Sequence, residues 1–152
     1  MERRDLEAVL QAIGMNYADH AKQAVRDLEE FLRGPGTDRH GYFVAEADGE
    51  VVGCVGFIPD KDEEVENVVW AVWFYVRPDY QRCGVGRVLW EYMEAHLKAL
   101  RVRKLYLDVG NESDHAVATS FYRKLGYTKE GELVDYFRDG ENKQFYAKRL
   151  TG

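Results

Sequence analysis

The sequence predicts a single α/β domain, α+β under some schemes: a mixed central sheet of about six strands flanked by about four helices. The stretch from Ala71 to Arg87, AVWFYVRPDYQRCGVGR, reads as an apolar strand, a polar turn closing on Gly84 and Gly86, and the start of a helix. Beyond it, Val85, Val88, Leu89, Tyr92, Met93, His96, Leu97 and Leu100 recur at the spacing of one helix face, and Leu105–Val109 is apolar enough for a central strand. Strand, helix and strand in that order make a right-handed crossover unit with parallel strands. Two-residue turn signals, Asp48-Gly49 and Asp139-Gly140, each separate a pair of strand-like runs and place hairpins near both ends. A chain of 152 residues fits one domain with a real core.

Taken in order, Asp5 caps a first helix carrying Leu6, Val9, Leu10 and Ile13 on one face, with Gly14 ending it. A second helix spans Asp19 to Arg33 through Ala21, Val25, Leu28 and Leu32, and Gly34-Pro35-Gly36 stops it. Tyr42–Ala45 and Val51–Ile58 are the strands of the first hairpin, and Pro59–Glu66 is a charged turn. The long strand follows; Trp73, Phe74, Tyr75 and Val76 favour extended backbone, and Pro78 ends it because proline cannot donate to a ladder. After Leu105–Val109, Ser113 or Asp114 caps a helix whose apolar face holds Ala118, Phe121, Tyr122 and Leu125, closing at Gly126. Strands over Glu132–Phe137 and Lys143–Leu150 finish the chain.

With 27 acidic against 21 basic residues, the net charge of -6 argues against a nucleic-acid partner and leans towards a cationic substrate. No apolar run approaches the ~18 residues of a membrane span, and MERRDLEAVL lacks the apolar core of a signal peptide. Cys54 and Cys83 form neither a disulfide framework nor a metal spacing. Two free thiols in a reducing cytoplasm, with no metal, are the expectation.

The Gln81–Arg87 turn is where chemistry is expected. Its glycines let the backbone wrap a ligand closely, and the first turn of the helix offers N–H groups without partners. Such a helix start is an anion site, for which pyrophosphate is the natural guest.

Strand, R-P-x-Y, Q-x-x-G-x-G-R and amphipathic helix together resemble the acetyl-CoA-binding core of the GNAT family, the Gcn5-related N-acetyltransferases. The second half of that signature follows: Asn111 at a strand end, then SFYRKLGY from Ser120 to Tyr127, similar to the family's Y-x-x-x-G-[FY] segment. The resemblance covers roughly Tyr42 to Leu150. It implies acetyl-CoA as cosubstrate, its pyrophosphate held by the N–H groups of Arg82, Cys83, Gly84, Val85, Gly86 and Arg87. Gln81 shapes that turn, and Arg82 and Arg87 add charge-assisted bonds. Tyr75 and Val76 offer backbone groups to the pantetheine arm, as a sheet edge takes a peptide. Asn111 bonds the same arm or, alternatively, starts a turn or helps to cap the next helix. Cys83 serves as a small residue whose N–H binds, or as a thiol activated at a helix start. Tyr122 corresponds to the tyrosine that protonates the departing thiolate; the alternative is one more core aromatic.

The base that deprotonates the acceptor stays open among Asp60, Asp62, Glu63, Glu64, Glu66, His115 and Asp135, since Trp70–Val76 carries no carboxylate. The reaction implied is direct acetyl transfer to a primary amine: a peptide N-terminus, a lysine, a polyamine or another small amine. Tyr136-Phe137 and the Asp139-Gly140 turn resemble the hairpin of family members acting on peptide N-termini. The rival reading is a non-catalytic acyl-CoA-binding or sensor module on the same fold. Family domains begin with a strand that this sequence has no room for. The sheet would then be one strand short, its edge covered by the N-terminal helices or by a second copy in a homodimer.

Overall fold

The computed structural model describes residues 1–151. A 3₁₀ turn (Arg3–Asp5) leads into α1 (Leu6–Asn16) and α2 (Ala18–Arg33), followed by strands β1 (Gly41–Ala47), β2 (Glu50–Pro59) and β3 (Val68–Val76). A second 3₁₀ turn (Pro78–Tyr80) precedes α3 (Val85–Ala99), β4 (Lys104–Val109), α4 (Ala116–Lys124), β5 (Thr128–Arg138) and β6 (Glu141–Arg149). The six strands form one sheet in the order β1-β2-β3-β4-β6-β5. All neighbours are antiparallel except β3 and β4, which run parallel because α3 carries the chain across between them. No strand precedes α1, so β1 and β5 are the edges of the sheet.

Each face of the sheet has its own core. On one, Leu89, Trp90, Met93 and Leu97 of α3 and Tyr122 of α4 pack on Val55, Phe57, Val69, Ala71, Leu105 and Leu107. On the other, Val9 and Ile13 of α1 and Ala24 and Leu28 of α2 pack on Tyr42 and Cys54, with Val72, Trp73 and Tyr75 at the margin. The α3 face also buries a charged group. The Glu94 carboxylate is within 2.8 Å of Lys148 Nζ and accepts the Tyr127 hydroxyl at 2.8 Å, and Trp90 Nε1 donates to that hydroxyl at 3.0 Å. Pairing and full hydrogen bonding are what make a carboxylate there tolerable.

Several boundaries differ from the sequence expectation. α1 runs through Gly14 to Asn16; a Cβ on Gly14 would stand 3.4 Å from Ala21, so this glycine packs two helices rather than ending one. Asp5 makes no cap bond to α1; its carboxylate instead accepts the Glu2 N–H at 2.6 Å. His115, not Ser113 or Asp114, is the N-cap residue of α4. β5 begins at Thr128 rather than Glu132, because Thr128 and Lys129 already pair with β6.

Candidate active site

The site forms where β3 and β4 part. They are in register only from Val68–Lys104 to Trp70–Tyr106. Past Trp70 the strands separate, and the cause lies in the pairing of β2 with β3. Cys54 faces Tyr75 while Gly56 faces Val72, so Trp73 and Phe74 together stand opposite Val55. Trp73 takes a φ of 49°, and its carbonyl accepts the Cys54 thiol at 3.2 Å. A bulge of this kind bends its strand, raises the local twist and ends pairing. Tyr75 and Val76 therefore lie on the part of β3 that β4 has left.

Beyond them the turn closes on two left-handed residues, Arg82 (φ 62°) and Gly84 (φ 83°), the second being the N-cap of α3. The first helical bond there runs from Val88 N–H to the Gly84 carbonyl at 3.1 Å. None of the six backbone N–H groups from Arg82 to Arg87 has a hydrogen-bond partner among the described residues. The two glycines do different work. Gly84 supplies the positive φ, with open space where a Cβ would be, whereas a Cβ on Gly86 would come within 3.2 Å of Phe74 and 3.5 Å of Val76. Gly86 thus lets α3 lie close against β3.

Gln81 shapes the turn as its position suggests. Its Nε2 donates at 2.9 Å to both the Val76 carbonyl and Asn16 Oδ1, and Asn16 Nδ2 donates to the same carbonyl at 3.1 Å. The Val76 carbonyl is consequently engaged, and the end of α1 is tied to the end of β3. Arg87 pairs with Glu91 at 2.8 Å, while Arg82 is exposed with no ion pair among the described residues. Cys83 is exposed, and its sulfur lies 3.5 Å from the Gln81 carbonyl.

Tyr122 sits on the α3 face, packed against Trp90 (ring centroids 5.1 Å), Phe121 (5.5 Å) and Phe74 (6.4 Å). Its hydroxyl has no hydrogen-bond partner among the described residues and is not among the side-chain atoms sealed from solvent. Burial, followed by the nearby charges of Tyr75 and Asp108, holds its proton on well above the ordinary tyrosine range. Tyr75 belongs to β3 and Asp108 to β4, the two strands that part here.

On the opposite face the sequence had marked little. Tyr17 breaks the chain between α1 and α2, and His20 lies in the first turn of α2. His20 Nδ1 is 2.5 Å from the Tyr75 hydroxyl, and its ring lies 4.8 Å from that of Tyr17. Burial first, and then the charge of His115, hold the His20 imidazole below its ordinary range, with Asp19 pulling the other way. A cleft of about 450 Å³ lies alongside, lined by Tyr17, Asn111, Asp114, His115, Arg138 and Glu141 among others.

Asn111 is at this cleft with its amide committed: Nδ2 donates to the Gly140 carbonyl at 2.7 Å, and Oδ1 accepts the Asn142 N–H at 2.9 Å. It clamps the β5–β6 turn to the end of β4. Asp135 accepts the Gly140 N–H at 2.8 Å and shapes the same turn. The acidic run bonds mostly to itself, Asp60 accepting from Asp62 N–H and Trp70 Nε1, and Asp62 from Glu64 N–H. None of its residues lines the cleft, and it reads as a solvated turn. His20 stands outside the motifs; the polar and aromatic run Asn16-Tyr17-Ala18-Asp19-His20 between two helices is its one local mark in the sequence.

Among the described residues no group of three or more His, Cys, Asp or Glu side chains is placed to hold a metal, and no helix is long and apolar enough to cross a membrane. Residues 7–127 match the model of the acetyltransferase (GNAT) family. Mycothiol acetyltransferase of Streptomyces avermitilis is 34% identical over 124 residues, covering 78% of this chain and 38% of that protein. An N-alpha-acetyltransferase of Sulfurisphaera tokodaii is 32% identical over 122 residues, covering 72% of this chain and 69% of that one. An aminoglycoside 6'-N-acetyltransferase solved with coenzyme A superposes with a TM-score of 0.82 over 100% of this chain and 96% of that chain. At 16% identity that likeness is one of fold. The chain spans well under half the length of several curated relatives that it matches, 38% of the mycothiol enzyme among them.

Proposed function

The chain belongs to the GNAT acetyltransferase family, and from that premise we propose that it transfers an acetyl group from acetyl-CoA directly to a primary amine. The observation that carries this reading is the row of six unpartnered N–H groups from Arg82 to Arg87, beside the place where β3 and β4 part. A polyphosphate fits that row, because N–H groups at a helix start and the positive end of its dipole converge on it. Exposed Arg82 adds charge, and Arg87 does so if it exchanges Glu91 for phosphate. The edge of β3 that β4 leaves uncovered at Tyr75 and Val76, apart from the Val76 carbonyl that Gln81 and Asn16 already hold, suits an extended arm carrying its own amides.

Acetyl-CoA supplies an acyl group already activated as a thioester. The chain binds it, aims it through the strand gap and holds a proton at the Tyr122 hydroxyl for the sulfur as the thiolate leaves. Burial suits Tyr122 to that role, since the group must stay protonated until the sulfur needs it. The acceptor, a small-molecule or peptide amine, approaches from the Tyr17–His20 side. With Cys54 buried and Cys83 exposed, both as free thiols, a reducing cytoplasmic compartment is the setting we assign.

The test is free-thiol release from acetyl-CoA across peptide N-termini, lysines, polyamines and small amines, together with melting curves. Saturating acetyl-CoA should raise the melting temperature and at least one amine class should accelerate thiol release. An unchanged melting curve would remove the cosubstrate. A raised one with no release for any class would leave an acyl-CoA-binding module.

A further inference from the structure

We propose that His20 is the general base, taking the proton from the acceptor's ammonium at Nε2 while its Nδ1–H is held by the Tyr75 oxygen. This rests on the acetyl-transfer reading and assigns the one role that reading leaves empty. The Tyr75 hydroxyl occupies Nδ1, and no protein group bonds Nε2 among the described residues. In the proposed tautomer Nδ1–H donates to the Tyr75 oxygen, which puts the lone pair at Nε2.

Position supports the assignment. Tyr75 is on the stretch of β3 past its pairing with β4, so His20 stands at the gap from the face opposite Tyr122. Gln81 and Asn16 tie the end of α1, just ahead of His20, to the end of β3. Of the other candidates, Asp135 holds the Gly140 N–H, and Asp60 and Asp62 bond within their own loop. His115 lines the cleft beside Gly110 with no hydrogen bond among the described residues to fix its ring, whereas His20 has the Tyr75 hydroxyl.

The surroundings keep the ring neutral at neutral pH. His20 is in the first turn of α2, where the helix dipole disfavours a cation. Facing it are Tyr17 and Asp19 from its own helix start, Trp73 and Tyr75 from β3, and His115 from the start of α4. Asp114, Arg138, Asp139 and Glu141 line the adjoining cleft. Of these His115 disfavours the imidazolium and Asp19 favours it, and burial outweighs both.

The step balances. An N–H bond of the ammonium breaks, its electron pair stays on nitrogen, and the proton forms an Nε2–H bond before passing to solvent. The freed pair attacks the thioester carbonyl carbon, the C–S bond breaks, and the sulfur takes the Tyr122 proton. The second N–H proton, lost once the C–N bond exists, restores Tyr122 through solvent, so one proton leaves per turnover.

His20→Asn is the test variant, since its amide can replace Nδ1–H towards Tyr75 while removing Nε2. We expect kcat/KM to fall by ~10²–10⁴-fold while the acetyl-CoA-induced rise in melting temperature remains. In the wild type, kcat/KM should drop on the acid side with an apparent pKa that matches the His20 imidazole followed by NMR, and His20→Ala should recover activity with added imidazole. A His20→Asn enzyme within about threefold of wild type, an acid limb that does not track His20, or no rescue by imidazole would each overturn the assignment while acetyl transfer stood. A wild type that transfers acetyl to no amine would instead overturn the transfer reading itself.

Discussion

The two faces of the sheet are built on different principles. The face under α3 and α4 is a continuous aromatic and aliphatic core, with Trp90, Met93 and Leu97 fully buried and Tyr122 nearly so. Its binding groups are backbone N–H groups, placed by a turn that only particular residues allow. The face under α1 and α2 is smaller, and its candidate reactive groups are side chains that meet from far apart, His20 and Tyr75 being separated by 55 positions. The first arrangement suits a constant ligand such as a cosubstrate, because backbone groups do not vary with substitution. The second suits an acceptor, because exchanging a single side chain changes what is recognised and leaves the sheet intact.

Tyr122→Phe is the sharpest probe of that contrast. Phenylalanine preserves the packing against Trp90 and Phe121, and the lost hydroxyl has no hydrogen bond to break among the described residues. We expect kcat to fall ~10²–10⁴-fold with acetyl-CoA binding near normal. A lower melting temperature with kcat intact would make Tyr122 a core residue alone.

Gly86→Asp comes next. A side chain there meets Phe74, and a carboxylate would stand beside the phosphates. Acetyl-CoA affinity by calorimetry should weaken about 10- to 100-fold, roughly 1.4–2.8 kcal/mol. Unchanged affinity in a folded variant would place the phosphates elsewhere. Asn111→Ala should have the smallest effect and confine it to the other face. Losing two partly exposed bonds that clamp the β5–β6 turn costs about 1–2 kcal/mol. The KM for the amine should rise several-fold while that for acetyl-CoA stays constant; the reverse pattern would return Asn111 to the pantetheine arm.

The same contrast explains what was legible in the sequence. Helix α3 and strand β4 declare themselves through apolar periodicity, and the Gln81–Arg87 turn through glycines whose need is local. Gly86 is expected to let the backbone approach a phosphate; the structure adds a neighbour no local pattern shows, Phe74, 3.2 Å from where a Cβ would be across the helix–strand contact. Asn111 was recognisable as a strand-end residue, yet whether its amide faced a ligand or Gly140 depends on a hairpin 29 positions away. His20 could not be found by spacing, because its partner lies on a strand that no local pattern joins to α2. Gly14 misled in the opposite sense: a glycine near a helix end signals a stop, but here contact with Ala21 carries the helix past it.

The bulge at Trp73 acts as a parity switch. Val69 and Ala71 point to the α3 core, Val72 and Trp73 both turn to the other face, and Phe74 returns to the first. Odd-numbered positions thus exchange sides midway along one strand, which is how Tyr75 reaches His20 while Phe74 lies under Trp90. Loss of a single codon within the bulge would restore strict alternation and leave these two residues where they are, whereas flattening the bulge with every residue kept would swap them between compartments. Phe74 would then meet the acceptor, and the phenol of Tyr75 would be driven in among the α3 aromatics. A one-residue deletion within the bulge therefore costs the strand its bend and keeps its facing pattern, while a replacement that forces the bulge flat exchanges the two rings.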